Sequence, residues 1–230
     1  MNFSMLSSLR FALAALFILA LPPGRLFAHA VWIEPLEEGG LALRFGEWGE
    51  EPEKSPGNLD LLIAPQAAAA TDGMAKPVTL EKKADHYLLA GLMAEQAATG
   101  QADYEVMVRG GSGRRPIFTA RWWPAARPAL KPSGAALDLL PAEGVAGRVF
   151  VSFRGKAVPA GTEVKFHAPG VEMLKLVVDA TGHVQVPEVK NAGLCLLYLG
   201  RYSEEAPGEF QGKKYDVASH SATLCWRVEK

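Results

Sequence analysis

Short apolar segments that alternate with polar residues, each ending at turn residues, most constrain what this chain can fold into. Residues 147–153 alternate up to a turn at Gly155, and residues 162–167 alternate again. Alternation with a period of two places successive side chains on opposite faces of a strand. Several such strands at short, regular spacing predict an all-β chain with β-sandwiches of immunoglobulin-like size.

The first part of the chain has the same character with weaker alternation. Two Ala- and Gln-rich stretches, residues 67–70 and 95–101, contain few strand-forming residues and are predicted as loops or helical turns. The remaining apolar runs predict short strands at residues 31–33, 41–45, 59–63, 87–89, 104–108 and 117–120.

A proline-rich passage divides the chain. Pro124, Pro128 and Pro132 precede Gly134 without apolar periodicity, a composition typical of a linker between domains. We therefore predict two immunoglobulin-like β-sandwich domains, at residues 29–127 and 145–230, joined by a linker at residues 128–144.

The first 28 residues have the layout of a secretory signal peptide. Arg10 precedes an apolar run at residues 11–21, which ends at a Pro-Pro-Gly sequence. The run is too short to span a bilayer, so the processed protein is predicted to be periplasmic or otherwise secreted and not membrane-spanning. Cleavage after Ala28 leaves His29 as the first residue, whereas cleavage after Ala30 discards it, and both sites fit the pattern.

Composition and motifs exclude several classes of function. The chain has 24 Lys and Arg residues against 25 Asp and Glu residues and no basic block, so nucleic acid is not an expected partner. It contains no nucleophile elbow, P-loop, dinucleotide fingerprint or HExxH sequence, which argues against a common hydrolase, kinase or dehydrogenase. We do not expect an enzyme.

The two cysteines lie on two neighbouring apolar segments near the C-terminus. One antiparallel register of these segments sets Cys195 opposite Cys225 and Leu197 opposite Thr223. The Cα atoms of directly opposed residues lie at the distance that a disulfide requires. Because the leader indicates an oxidising compartment, we predict a Cys195–Cys225 disulfide. Two reduced, buried thiols are the alternative.

Metal binding is the chemistry that the sequence favours most. A first residue His29 offers an α-amine and an imidazole, which together chelate nickel, cobalt or copper. His220 and His86 are the candidates for a further ligand from elsewhere in the fold, although neither has chelating spacing to another histidine. Carboxylates that follow His29 are further candidates, unless they belong to an acidic surface loop: Glu34, Glu47, Glu50 and Glu51.

Several segments together resemble a bacterial periplasmic family of unknown function, often labelled as the periplasmic component of a cobalt or nickel transport system. Residues 29–35, His-Ala-Val-Trp-Ile-Glu-Pro, resemble its His-x-Phe-Trp-Leu-x-Pro opening. Residues 137–141 and 149–164 resemble its second β-sandwich with a Gly-Lys-Pro-x-x-Gly turn, and residues 222–226 are similar to its closing strand. The chain departs from the family at Ala30-Val31, and Arg201-Tyr202 stands where a further histidine is expected.

The resemblance implies two β-sandwich domains, export to the periplasm, and metal binding through the N-terminal histidine. The leading hypothesis is a periplasmic protein that binds nickel or cobalt, with copper as a further candidate, and presents it to a membrane uptake permease. A second hypothesis is a copper enzyme with a histidine brace. A third is a metal-free β-sandwich interaction or ligand-binding module in which Trp32, Trp48, Trp122 and Trp123 form a partner surface or a pocket.

Overall fold

The computed structural model describes residues 29–71 and 74–229, and within them the chain is all-β. The predicted leader, residues 1–28, lies outside the described residues. Apart from a short 3-10 helix, Asn58–Leu61, the elements are strands, which follow in chain order: β1 Ala30–Pro35, β2 Gly40–Gly46, β3 Leu62–Thr71, β4 Met74–Val78, β5 Leu80–Lys82, β6 Tyr87–Met93, β7 Ala98–Tyr104, β8 Met107–Arg109, β9 Ser112–Trp123, β10 Leu137–Pro141, β11 Arg148–Phe153, β12 Lys156–Ala157, β13 Glu163–Ala168, β14 Val171–Val177, β15 His183–Gln185, β16 Gly193–Phe210 and β17 Lys213–Val228.

The strands form three sheets. The central sheet has nine strands in the order β14-β13-β16-β17-β9-β7-β3-β4, with β8 added to β9. A first outer sheet has the order β1-β2-β6-β5, and a second has the order β10-β11-β12, with β15 also paired to β11. Within the described residues, no helix is long and apolar enough to cross a membrane.

The two outer sheets cover opposite faces of the central sheet. Leu196 and Cys225 belong to the core beneath the first outer sheet, whereas their neighbours Leu197 and Leu224 belong to the core beneath the second. This alternation is the period of two of a strand that is buried on both faces. Strands β16 and β17 therefore contribute to both hydrophobic cores, which explains the continuous apolar run at residues 194–199 of β16.

The boundary between the two predicted domains is bridged by main-chain pairing. Strand β9, from the first half of the chain, pairs in parallel with β17, from the second half, over ten positions from Val217↔Arg114 to Trp226↔Trp123. Part of the predicted linker, residues 128–144, forms strand β10, which pairs with β11. The proline-rich residues before β10 connect the central sheet to the second outer sheet.

Two stretches predicted as loops are strands of the central sheet. Residues 67–70 lie in β3, and much of the stretch 95–101 lies in β7. A Cβ atom on Gly100 would collide with the Leu43 side chain of β2, so the outer sheet packs too closely for large residues at this position. Small residues that face the first outer sheet, Ala67, Ala69, Ala98 and Gly100, fit this close packing despite their low strand propensity.

The predicted disulfide is not supported. The structure pairs Cys195 with Trp226 and Leu196 with Cys225, one residue away from the predicted register. A slip of one residue turns a side chain to the other face of the sheet, so the two thiols lie in different cores. Both cysteines are free and buried.

Candidate functional site

His29 lies at the start of β1 and is held between two carboxylates. Its Nε2 atom is 2.6 Å from Glu53 Oε1, and its Nδ1 atom is 3.9 Å from Glu47 Oε1. The ring packs on Phe45 with 5.2 Å between ring centroids, yet 39% of the side chain is exposed. The imidazole is thus oriented and also accessible to a solute.

The chain after β2 brings both carboxylates to His29. Ala30 pairs with Gly46 at the end of β2, so Glu47 directly follows the strand position nearest to His29. The acidic segment then turns back, and the Glu53 amide donates a hydrogen bond to the Phe45 carbonyl at 2.8 Å. Glu53 returns in this way to the side of the imidazole.

The environment of Glu53 defines which nitrogen of His29 has the proton. Burial opposes ionisation of Glu53, but hydrogen bonds with His29 and Asn58 outweigh it and hold the pKa of this carboxyl below its ordinary value. An ionised carboxylate only accepts hydrogen bonds, so Nε2 of His29 must donate to it. In the neutral ring, Nδ1 is then the nitrogen with a free lone pair.

This arrangement is the one that metal-binding histidines commonly have. A ligating histidine usually donates its second ring N–H to a carboxylate, which fixes the ring and increases the basicity of the ligating nitrogen. Cleavage after Ala28 would add the α-amine of the same residue, which forms a chelate with Nδ1, and Glu47 lies on the Nδ1 side. Within residues 29–71 and 74–229, no three His, Cys, Asp or Glu side chains are grouped as a metal site, so a site at His29 depends on the α-amine.

His220 is on the opposite face of the central sheet from His29. Ser219 and Ser221, its neighbours on β17, line a pocket together with His29, whereas His220 points into the second core. There its ring contacts Phe153, with 5.2 Å between centroids, and its Nε2 atom is 3.2 Å from Glu204 Oε1. Burial lowers the pKa of His220 despite the nearby Glu204 carboxylate.

His86 is also separated from His29. It directly precedes β6, and the pairing of Leu43 with Tyr87 sets it beside Arg44. His29 and His86 lie on opposite sides of β2, so two strand spacings of about 4.8 Å separate them across the sheet. They are also offset along the strands by three residues, at about 3.3 Å per residue. His86 Nδ1 instead lies 2.7 Å from Asp85 Oδ1.

The remaining candidate carboxylates and the four tryptophans do not form a site with His29. Glu34 accepts hydrogen bonds from Trp32 at 2.8 Å and from Arg44 at 2.6 Å, whereas Glu50 and Glu51 are exposed. Two of the four tryptophans proposed as a surface are buried in the first core, Trp32 and Trp122. The other two, Trp48 and Trp123, are partly buried and pack against the cores.

A pocket of about 220 Å³ opens beside His29, at the edge of the first core. Arg114, Pro116 and Phe118 contribute to it from alternate positions on one face of β9. Its remaining lining residues come from the residue before β1, from β2, β7, β8, β16 and β17, and from the 3-10 helix: His29, Phe45, Asn58, Tyr104, Met107, Arg201, Ser219 and Ser221. Its lining includes two arginines, one histidine and no acidic side chain among the described residues.

Sequence reasoning did not find Glu53, Arg114 or Arg201 as site residues. Glu53 lies two residues after Glu51, the last of the candidate carboxylates in the sequence. Its acidic side chain and its closeness to that cluster are the sequence features that could have identified it. No signal linked the arginines, because Arg114 reaches the pocket from β9 and Arg201 from an irregularity in β16. Only the parallel pairing of β9 with β17 brings these parts of the chain together.

No family model matches this sequence, and a search of curated proteins gives no significant match.

Proposed function

We propose that this protein is a periplasmic transition-metal binding protein that takes up nickel or cobalt at its N-terminus and presents it to a membrane uptake permease. The observation that supports it best is the 2.6 Å contact between His29 Nε2 and Glu53, which leaves Nδ1 as the ligating nitrogen. Under this proposal export cleaves the chain after Ala28. The α-amine and Nδ1 of His29 are then the primary ligands, and Glu47 is the nearest carboxylate to complete the site.

The resemblance noted in the sequence and the position of the site agree with this function. The site lies at the surface of the first outer sheet, and the imidazole is 39% exposed, so a metal ion enters and leaves without opening a core. A delivery protein needs such access, because it must transfer its cargo. His220 and His86 remain weaker candidates for the metal site than Glu47, since neither side chain is placed beside His29.

The first test is the mass of the exported protein, recovered from the periplasm without chelators. We expect a denatured mass that begins at His29 and a native mass that is higher by one nickel or cobalt ion. A chain that begins at Val31 would overturn the proposal, because both primary ligands would be removed.

The second test is a set of substitutions measured by nickel titration. His29→Ala should abolish binding, and Glu53→Gln should weaken it about 10- to 100-fold, the usual effect of removing a carboxylate that orients a ligating histidine. His86→Ala is the matched control and should bind as the wild type does. Binding should also weaken as the pH falls, because the amine and the imidazole bind metal only without their protons. Unchanged affinity in His29→Ala would end the proposal.

The pocket beside His29 favours a second candidate function, a metal-free ligand-binding module of the cell envelope. Absence of metal in the native mass, together with a chain that begins at Val31, would favour this function. A histidine-brace copper enzyme has less support, since it needs a second histidine next to His29.

A further inference from the structure

Arg114 and Arg201 have no carboxylate partner within the described residues, as is also true of Arg109, Arg127 and Arg227, but Arg114 and Arg201 line the same pocket. Arg44, Arg115, Arg121, Arg148 and Arg154 each form an ion pair. The Arg114 side chain donates a hydrogen bond to the sulfur of Met107 at 3.4 Å, and a thioether sulfur is a weak acceptor. Two guanidinium groups thus line one pocket without a neutralising charge.

The backbone directs Arg201 into the pocket at a cost in conformation. The pairing of β16 with β17 shifts register between Leu199 and Tyr202, and within this irregularity Arg201 has a φ of 58°. A left-handed conformation is unfavourable for a residue with a side chain, and such irregularities commonly re-aim a side chain near a functional site. The Arg201 amide donates a hydrogen bond to Ser221 Oγ at 3.3 Å, which helps to hold this conformation.

The two positive charges act on each other. Burial, and secondarily the charge of Arg201, lower the pKa of Arg114 from its ordinary value. Arg201 is exposed and Arg114 is half-buried, so solvent screens part of this repulsion, and an anion placed between the two groups would interact favourably with both. The hydroxyl groups of Ser219 and Ser221 line the same pocket and offer further hydrogen-bond donors.

Apart from His29 and Asn58, the rest of the pocket is mainly aromatic and aliphatic. Phe118 and Phe45 pack edge-to-face at 5.6 Å between centroids, and Met107 and Pro116 complete an apolar surface. Its volume of about 220 Å³ corresponds to about seven waters. A bare inorganic anion would fill only part of this space and would leave Met107 and Tyr104, which are more exposed than Phe45 and Phe118, without an apolar partner.

We propose that this pocket binds a small organic carboxylate, with the carboxylate between Arg114 and Arg201 and the apolar body against Met107 and Tyr104. Guanidinium groups bind carboxylates by paired, charge-assisted hydrogen bonds, and ligand pockets commonly combine an apolar lining with a few polar groups that fix orientation. His29 also lines this pocket. The proposal does not depend on metal binding, because the groups that hold the carboxylate and the apolar body are not ligands of the proposed metal site.

Calorimetric titration of the exported protein with benzoate, in the presence of a chelator, tests this proposal. We expect a Kd of about 1 mM or tighter for a ligand of this size. Benzamide has the same shape without the charge, and we expect it to bind at least about tenfold more weakly. A tenfold increase in Kd corresponds to a loss of about 1.4 kcal/mol of binding free energy. Inorganic phosphate has the charge without the apolar body and should also bind more weakly than benzoate.

Variants assign the binding to the pocket. Arg114→Gln and Arg201→Gln should each raise the Kd for benzoate at least about tenfold, since each removes a charge-assisted contact. Arg109→Gln, an exposed arginine on the neighbouring strand β8, is the matched control and should leave the Kd unchanged. Thermal unfolding of each variant without ligand verifies that it is folded.

Three outcomes would overturn the proposal. They are equal binding of benzoate and benzamide, equal binding of phosphate and benzoate, and wild-type affinity in both arginine variants. Glu47→Gln separates this proposal from the metal site, because Glu47 does not line the pocket. Benzoate binding in Glu47→Gln should equal that of the wild type whether or not nickel binding is lost.

Discussion

At the scale of single residues, two histidines that the sequence nominates as metal ligands, His29 as the primary ligand and His220 as a further one, have opposite surroundings. His29 lies at an accessible edge beside two carboxylates, whereas His220 is only 5% exposed and packs against Phe153. The difference arises from strand alternation, since Ser219 and Ser221 turn to the pocket and His220 to the core. A histidine in an apolar strand is therefore a candidate ligand only when its face of the sheet is known.

The burial of His220 predicts how stability changes with pH. Burial lowers its pKa in the folded protein below the ordinary value of 6.5, although the Glu204 carboxylate opposes this and Arg154 and Arg115 support it. Between the two pKa values the unfolded chain binds more protons, so the free energy of unfolding decreases as the pH falls below about 6.5.

The measurement is urea unfolding at several pH values between about 7.5 and 5. The slope of stability against pH should be smaller in His220→Gln than in the wild type. His167, whose pKa is also lowered by burial and by Lys165, contributes in the same direction, so the double variant with His167→Gln should have the smallest slope. An unchanged slope in the double variant would contradict the assignment.

At the scale of elements, the register of β16 and β17 decides the chemistry of the two cysteines. The two apolar segments do pair in an antiparallel hairpin, and its register shifts at two places. The polar residues between the apolar segments also belong to the two strands, and the turn is at Gln211-Gly212. Sequence patterns locate apolar strands well, but register requires the contacts on both faces.

The observed register predicts two free thiols even in an exported protein. Intact mass after unfolding in excess iodoacetamide without reductant should show two alkylated cysteines, and the folded protein should react slowly. Burial raises the pKa of Cys195 to about 11 and that of Cys225 well above its ordinary value, so little thiolate is available. A mass two hydrogens lower, with no alkylation, would show the disulfide instead.

A designed cysteine provides a second test of the register between β16 and β17. Leu196 lies directly opposite Cys225 and belongs to the same core. Directly opposed residues lie within the Cα distance of a disulfide, so Leu196→Cys should form a disulfide with Cys225 in the oxidised protein. The register would be contradicted if Leu196→Cys formed no disulfide with Cys225 and a disulfide joined Cys195 and Cys225 instead.

At the scale of the whole molecule, an ion pair fastens the central sheet to the second outer sheet. Arg121 of β9 donates two hydrogen bonds to Asp138 of β10, at 2.7 and 2.8 Å, and a third to the Lys131 carbonyl at 2.8 Å. Asp138 also accepts a hydrogen bond from the Ser133 amide at 2.9 Å. Arg121 and Asp138 are both buried. Their hydrogen bonds with Lys131 and Ser133 also attach the end of the proline-rich segment to the central sheet and to the second outer sheet.

Breaking this pair should strongly destabilise the protein. Asp138→Ala leaves the Arg121 charge buried and unpaired, which costs about 3–5 kcal/mol of unfolding free energy. The exposed pair between Glu163 and Lys175 is the matched control, and Glu163→Ala should cost less than about 1 kcal/mol. Urea unfolding measures both.

A double substitution shows whether the charge or the packing is the cause. Arg121→Met with Asp138→Leu removes both charges and fills the space with apolar side chains. It should recover much of the stability that Asp138→Ala loses, because no buried charge remains. Equal losses in the single and double variants would indicate that the hydrogen bonds to Lys131 and Ser133 matter more than the charges.

The sequence by itself determined the all-β class, the positions of most strands and His29 as the residue to examine. These follow from local patterns: alternation, turn residues and the end of a leader-like segment. It did not find the strands at residues 67–70 and 98–104, since their small residues have a purpose only against Leu43 and its neighbours in the first outer sheet. Only the tertiary structure decided which residues share a face and a layer. It brought Glu53 to His29, placed Arg114 beside Arg201, and set Cys195 and Cys225 apart, because pairing between distant strands and packing between sheets depend on contacts that no local pattern records.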